Sequence, residues 1–172
     1  MSLSMEPKQP LSEYQANLET LMQLPLFAGL PLEPLKVLAY LCKRESFKPG
    51  EVLFHEHEID TNAYYILEGT VGLISGTNGE TEYTEFGERT FIGGMSLFCD
   101  LKRLFTLRAK TRVTCLILSR DKFQKIVERF PDITGKMVKA IILGVHAWEE
   151  RFLGEHARAC ASCRKWVGVS LG

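Results

Sequence analysis

The chain has 172 residues, is 45% hydrophobic, and sets 21 Lys and Arg against 21 Asp and Glu. Zero net charge argues against a surface devoted to DNA or RNA, whose binders carry a basic excess. No apolar run approaches the ~20 residues that span a bilayer, and "MSLSMEPKQP" lacks the apolar segment of a signal peptide. Of the five cysteines, three sit singly in apolar stretches and read as reduced thiols, so a cytoplasmic location is expected.

Residues 11 to 44 follow helical spacing, with Leu11, Tyr14, Leu18, Leu21 and Met22 recurring on one side. The pattern breaks at Pro25, Gly29 and Pro31. A second helix is predicted from about Glu33 to Cys42, with Pro34 tolerated in its first turn. From Phe47 the period changes. "EVLFHE", "AYYILEG", "TVGLIS", "TEYTEF", "FTLRAK" and "RVTCLILS" are short and rich in β-branched and aromatic residues, and glycines punctuate them. Asn78-Gly79 predicts a two-residue hairpin turn between "GLIS" and "TEYTEF". Strands at this spacing suggest a closed or rolled antiparallel sheet.

At Ser119, a predicted N-cap, helical spacing returns, and Phe123, Ile126, Val127 and Phe130 form one apolar face. Pro131-Asp132 restarts the chain. A long helix is predicted from about Ile133 to His156. Met137, Ile141, Val145, Trp148 and Phe152 lie near one stripe along it, the seam expected of a homodimer. The organisation is therefore an N-terminal helical segment (1–46), a β-roll core (47–118), and a hinge helix, long helix and tail (119–172), all in one domain.

The chemistry concentrates in "FIGGMSLFCDLKRLFTLRAKT", Phe91 to Thr111. The Gly93-Gly94 pair lets backbone N–H groups approach an anion without Cβ interference. "GMSLF" after it predicts one short helical turn, whose N-terminal end favours a phosphate. Ser96 adds a hydroxyl, and Arg103 a planar fork suited to phosphate oxygens.

Together, "FKPGEVLFHEHEIDTNAYYILEGTVGLI", "FGERTFIGGMSLF" and "KRLFTLRAKT" closely resemble the cyclic-nucleotide-binding domain, over about residues 24 to 155. The leader "LPLFAGLPLEPLKVLAYL" is similar to that family's N-terminal helices. The resemblance implies a mainly β fold: a double-stranded β-helix of jelly-roll type, flanked by N-terminal helices and a long C-terminal helix. The family's phosphate cassette runs roughly G-E-x-[AS]-L, a short loop, then P-R-[AS]-A-[TS]. Gly93, Met95, Ser96 and Leu97 match its first half, and Arg103 falls on the arginine that pairs with the cyclic phosphate. Thr106 also matches. The glutamate that takes the ribose 2′-hydroxyl falls on Gly94, the two small residues on Leu104 and Phe105, and the proline on Lys102. The usual G-P-G-D turn upstream is Gly87-Glu88-Arg89-Thr90. The anion half of the site is kept and the sugar half is not.

Two functions follow from the resemblance. One is a ligand-sensing regulatory module that binds cyclic AMP, cyclic GMP or a related anion at Gly93, Gly94, Met95, Ser96, Arg103, Leu104, Phe105 and Thr106, and signals through its C-terminal helix. The other is a ligand-free interaction or dimerisation module of the same fold. Family members that read DNA continue into a helix-turn-helix domain. Fewer than twenty residues follow the long helix here, so DNA binding by this chain alone is not expected.

No nucleophile, base and orienting group converge in a catalytic motif, and no enzyme activity or cofactor is expected. Cys160 and Cys163 form a C-x-x-C with His156 four residues ahead, a weak metal-ligand pattern lacking a second pair. His55 and His57 are expected in a solvated loop, and Glu56, Glu58 and Asp60 as an acidic cluster on an exposed turn. Cys42, Cys99 and Cys115 are expected as small apolar fillers.

Overall fold

The computed structural model describes residues 12–76 and 81–155. The chain opens with α1 (Glu13–Gln23), a short helical turn at Pro25–Phe27, and α2 (Leu32–Leu41). Among the described residues eight strands follow: β1 (Lys43–Phe47), β2 (Val52–Phe54), β3 (Asn62–Glu68), β4 (Val71–Ser75), β5 (Thr81–Phe86), β6 (Phe91–Ile92), β7 (Thr106–Ala109) and β8 (Val113–Ser119). A second short turn at Gly94–Leu97 lies between β6 and β7, and α3 (Arg120–Arg129) and α4 (Ile133–Glu155) close the chain.

The strands form two antiparallel four-stranded sheets, ordered β1-β8-β3-β6 and β2-β7-β4-β5. Mainly β with flanking helices is the expected fold class, and it is the one observed. Both faces of β3 and β8 are covered, so these strands read as near-continuous apolar runs. Tyr64 and Ile66 of β3, with Val113 and Cys115 of β8, enter the interior of the roll beside Phe54, Val71 and Leu107. Their alternate neighbours Ala63, Tyr65, Leu116 and Leu118 face a second core built from Phe27, Leu38, Leu97, Phe123 and Met137. The first core sits between the sheets; the second joins the helices to one of them.

Several boundaries depart from the sequence expectation. β1 begins at Lys43, four residues before the expected start of the roll. Its "KRESF" is a polar edge strand, paired only to β8 and half-open to solvent, so it lacks the apolar signature of a strand. In α1, Ser12 supplies a reciprocal capping box with Gln15. The face it buries includes Asn17 and Leu21, whereas Met22 is exposed. Asn17 is sheltered because it donates to the Ala39 carbonyl and accepts from Arg44 Nε at 2.9 Å. Ser119 occupies the N-cap position of α3, but its side chain makes no capping hydrogen bond. β4 and β5 pair antiparallel from Val71–Phe86 to Ser75–Thr81. The Asn78-Gly79 turn between them lies outside the described residues, as do His156, Cys160 and Cys163.

The long helix is divided in its use. Ile133 and Met137 are buried in the domain's own helical core. Ile141 and Val145 are half-buried, while Ile142, Leu143 and Trp148 are exposed. Met137 is therefore not available to a seam between two chains; the first turns of the helix pack on their own domain. The Phe152 side chain lies outside the described atoms.

Candidate functional site

The glycine-rich loop starts where β6 ends. Gly93 has φ +82°, and a Cβ built there would stand 2.7 Å from Arg103 Nη2, so both backbone angle and space require glycine. Ser96 N donates to the Gly93 carbonyl at 3.0 Å, closing the short turn. Leu97 is fully buried and pins that turn to the helical core. From the other side Arg120, the first residue of α3, reaches back. Its Nε donates to the Ser96 carbonyl at 2.6 Å, its Nη2 to the Cys99 carbonyl at 2.6 Å, and its Nη1 pairs with Asp100.

Arg103 approaches the same loop from below. Its backbone is tied to the turn after β2: His57 N donates to the Arg103 carbonyl, and Arg103 N to the Glu58 carbonyl, both at 2.8 Å. That pairing brings Asp60 alongside. Arg103 Nη2 lies 2.7 Å from Asp60 Oδ2 and also donates to the Asn62 carbonyl. Asp60 is itself fixed, because its Oδ1 accepts from Asn62 N at 3.1 Å and Asn62 Nδ2 at 2.8 Å. The guanidinium lies over the Phe54 ring, 4.2 Å from its centroid. Arg103 and Asp60 are each only 7% exposed. Arg103 Nε is buried and has no hydrogen-bond partner.

This corrects the expectation for the acidic cluster. Glu58 is exposed as anticipated, but Asp60 is a buried counter-ion. Sequence reasoning passed over it because carboxylates near a turn usually face water. Asp-Thr-Asn just before β3 was the available signal, since Asp and Asn fold such corners through local hydrogen bonds. Glu56 accepts from the Ser75 hydroxyl at 2.6 Å, which holds its carboxyl below the usual range. His55 and His57 lie in this corner, beyond the end of β2, and His57 adopts φ +66°.

Gly93, Ser96 and Arg103 are brought together; other matched positions are not. Met95 is 61% and Leu104 81% exposed. Thr106 faces sideways, its hydroxyl accepting from Glu56 N at 3.0 Å. Phe105 packs on Phe54, ring centroids 5.6 Å apart, so it roofs the guanidinium's neighbour where the family has a small residue. At Gly94 a built Cβ would lie 2.7 Å from the Phe91 ring, so a side chain there needs that ring to move. Asn62, whose carbonyl accepts from Arg103, lines a cleft of about 460 Å³ together with Phe47, Leu53, Tyr64 and Ile117. Burial, and then the adjacent Asp60 carboxylate, push the Tyr64 hydroxyl well above its ordinary pKa, so it stays a neutral donor.

The thiols sort differently from expectation. Cys115 is a buried filler and Cys42 is half-buried, but Cys99 is exposed at the end of the loop. Among the described residues no cluster of His, Cys, Asp and Glu is arranged to hold a metal. No described helix is long and apolar enough to cross a membrane.

The family model described as "Cyclic nucleotide-binding domain" matches residues 44–130. The potassium channel GORK of Arabidopsis thaliana is 30% identical over 108 residues, covering 62% of this chain and 13% of the channel. Among solved structures, the N-terminal domain of a transcriptional regulator from Streptomyces coelicolor A3(2) superposes with TM-score 0.68 at 27% identity, covering 77% of this chain and 94% of that one. A cyclic nucleotide-binding-like protein from Brucella abortus gives TM-score 0.61 at 28% identity, with 66% and 98% covered.

Proposed function

Because the chain belongs to the cyclic nucleotide-binding domain family, we propose that it is a cytoplasmic regulatory domain, not an enzyme, that takes the phosphate of a cyclic nucleotide or a related small anion on Arg103. The observation that carries this reading is Arg103 Nε, a charged donor that is buried and unpartnered. Leaving such a group unsatisfied is costly, and native proteins rarely do so without a reason. An anion oxygen that takes the Nε edge of the guanidinium would meet that donor.

Discrimination of the sugar is expected to be poor. A hydrogen bond to a charged group contributes ~1.5–3 kcal/mol, so the missing carboxylate at Gly94 weakens a cyclic nucleotide by one to two decades. Occupancy would be reported through Arg120, which links the loop's Ser96 and Cys99 carbonyls to the start of α3, and from there to α4. The flank of α4 that carries exposed Ile142 and Trp148, with half-buried Val145 between them, is the proposed contact with a second copy.

Titration calorimetry with cyclic AMP, cyclic GMP and inorganic phosphate tests the reading. Cyclic AMP and cyclic GMP should bind within about tenfold of each other, with phosphate competing, since the base and ribose add little. The second reading is a ligand-free interaction module, favoured by Phe105 packed on Phe54 and by the Asp60 carboxylate already seated on Arg103. It predicts no heat and no thermal shift with any of the three.

A further inference from the structure

Asp60 does more at this site than neutralise a buried charge. A guanidinium grips a phosphate or carboxylate best along one edge, with two parallel N–H···O bonds. Nε and Nη2 of Arg103 form such an edge. Here it is half used: Nη2 is taken by Asp60 Oδ2 and the Asn62 carbonyl, and Nε by nothing. A carboxylate evolved only to neutralise this arginine would use both donors. Asp60 cannot, because two donors from Asn62 hold its other oxygen and turn the carboxyl end-on. The grip is deliberate in placement and incomplete in engagement.

We propose that Asp60 is a built-in competitor for the anion: it occupies Arg103 when the site is empty, and it must yield Nη2 before a phosphate can take the Nε–Nη2 edge. This rests on the functional reading above and assigns its regulation. The fraction of molecules with Arg103 released sets the apparent affinity, which falls in proportion to that fraction. Neutralising Asp60 should therefore tighten anion binding. Removing a residue that merely orients the arginine would have the opposite effect.

The measurement is calorimetry on the full chain with cyclic AMP and with inorganic phosphate, comparing wild type with Asp60→Asn. Asparagine keeps the acceptor for the Asn62 donors and removes the charge. The expected result is a tightening of about tenfold or more for both ligands, the scale of one charge-assisted hydrogen bond released. Nitrogen-15 spectra add a direct readout: in wild type the Arg103 Nε–H signal should shift on adding phosphate, as an unpartnered donor gains an acceptor. If Asp60→Asn does not fold, Asp60→Ser, which also removes the charge while keeping an acceptor near the Asn62 donors, should tighten binding severalfold by the same logic. Wild type that binds while the folded variants bind equally or more weakly overturns the competitor and leaves the functional reading standing. No binding by any of the proteins up to millimolar ligand overturns both.

Discussion

Arg120 and Arg103 hold the two sides of one loop, and they hold it in different ways. Each of the three guanidinium nitrogens of Arg120 has a partner: two backbone carbonyls of the loop and the Asp100 carboxylate. Its charge is spent on fixing the chain. Arg103 is more deeply buried yet leaves its Nε without a partner, and its carboxylate partner lies 43 residues away in sequence on another corner of the roll. A satisfied arginine is architecture. An arginine kept under an aromatic ring with a spare donor is a place where something else can bind. The contrast separates a functional reading of this loop from a merely structural one.

The sharpest way to break that contrast is Arg103→Ala. It strands the Asp60 carboxylate in a site 7% exposed, and losing one partner of a buried pair costs about 3–5 kcal/mol. Chemical denaturation should register that loss. Replacing both charges, Arg103→Met with Asp60→Leu, should restore most of the stability while leaving no anion binding. If the double variant still binds cyclic AMP as wild type does, the anchor is elsewhere.

Arg120→Ala should cost less, roughly 1.5–3 kcal/mol, because its bonds are charge-assisted but Asp100 and the loop carbonyls can turn to water. The loss should be local. Amide exchange should accelerate around Ser96 to Asp100 while the centres of β3 and β8 keep their protection. Uniform acceleration through the roll would mean that Arg120 stabilises the whole fold and does not couple the loop to α3.

The long helix divides its apolar side chains between the domain's core and its surface. Met137 is buried at home, while Trp148 is 55% exposed eleven residues on. Trp148→Glu should cost the monomer far less than Arg103→Ala does, since more than half of the Trp148 side chain faces solvent. Light scattering should nonetheless show any dimer falling apart, because the substitution puts a charge into a desolvated contact. A dimer that survives it is held by another surface.

How much of this was legible in the sequence depends on what kind of signal each feature leaves. β3 and β8 announce themselves because burial on both faces writes an unbroken apolar run. β1 does not, since Lys43 to Phe47 form a polar edge strand whose backbone pairs on one side, with β8. The loop's glycines and Arg103 were legible because their backbone and charge requirements are local. Asp60 was not: its burial is created by backbone pairing between the 57–59 turn and Arg103, a tertiary fact with no periodicity. Met137 misled for a related reason. A stripe at helical spacing says that a face is covered, not whether the cover is the chain itself or a copy of it.

The smallest expected effect gives the finest test of whether the two sides of the loop move independently. Cys99 sits on the Arg120 side, exposed, with its carbonyl bound to Arg120 Nη2. Burial pushes the Cys42 and Cys115 thiols up to about 12, so at pH 8 roughly one in ten thousand of each carries the reactive thiolate. In a background with Cys160→Ser and Cys163→Ser, a maleimide added at that pH therefore reports on Cys99. Arg120→Ala frees the carbonyl of that residue, and labelling should quicken severalfold. Asp60→Asn acts only on the Arg103 side, and labelling should stay at the wild-type rate. If Asp60→Asn quickens Cys99 as much as Arg120→Ala does, the loop moves as one body and the division between its two arginines is not real. Should the two variants separate as expected, adding cyclic AMP becomes the informative step. A ligand that reaches α3 must disturb the Arg120 side as well, so the Cys99 rate should change on binding in wild type and lose that response in Arg120→Ala.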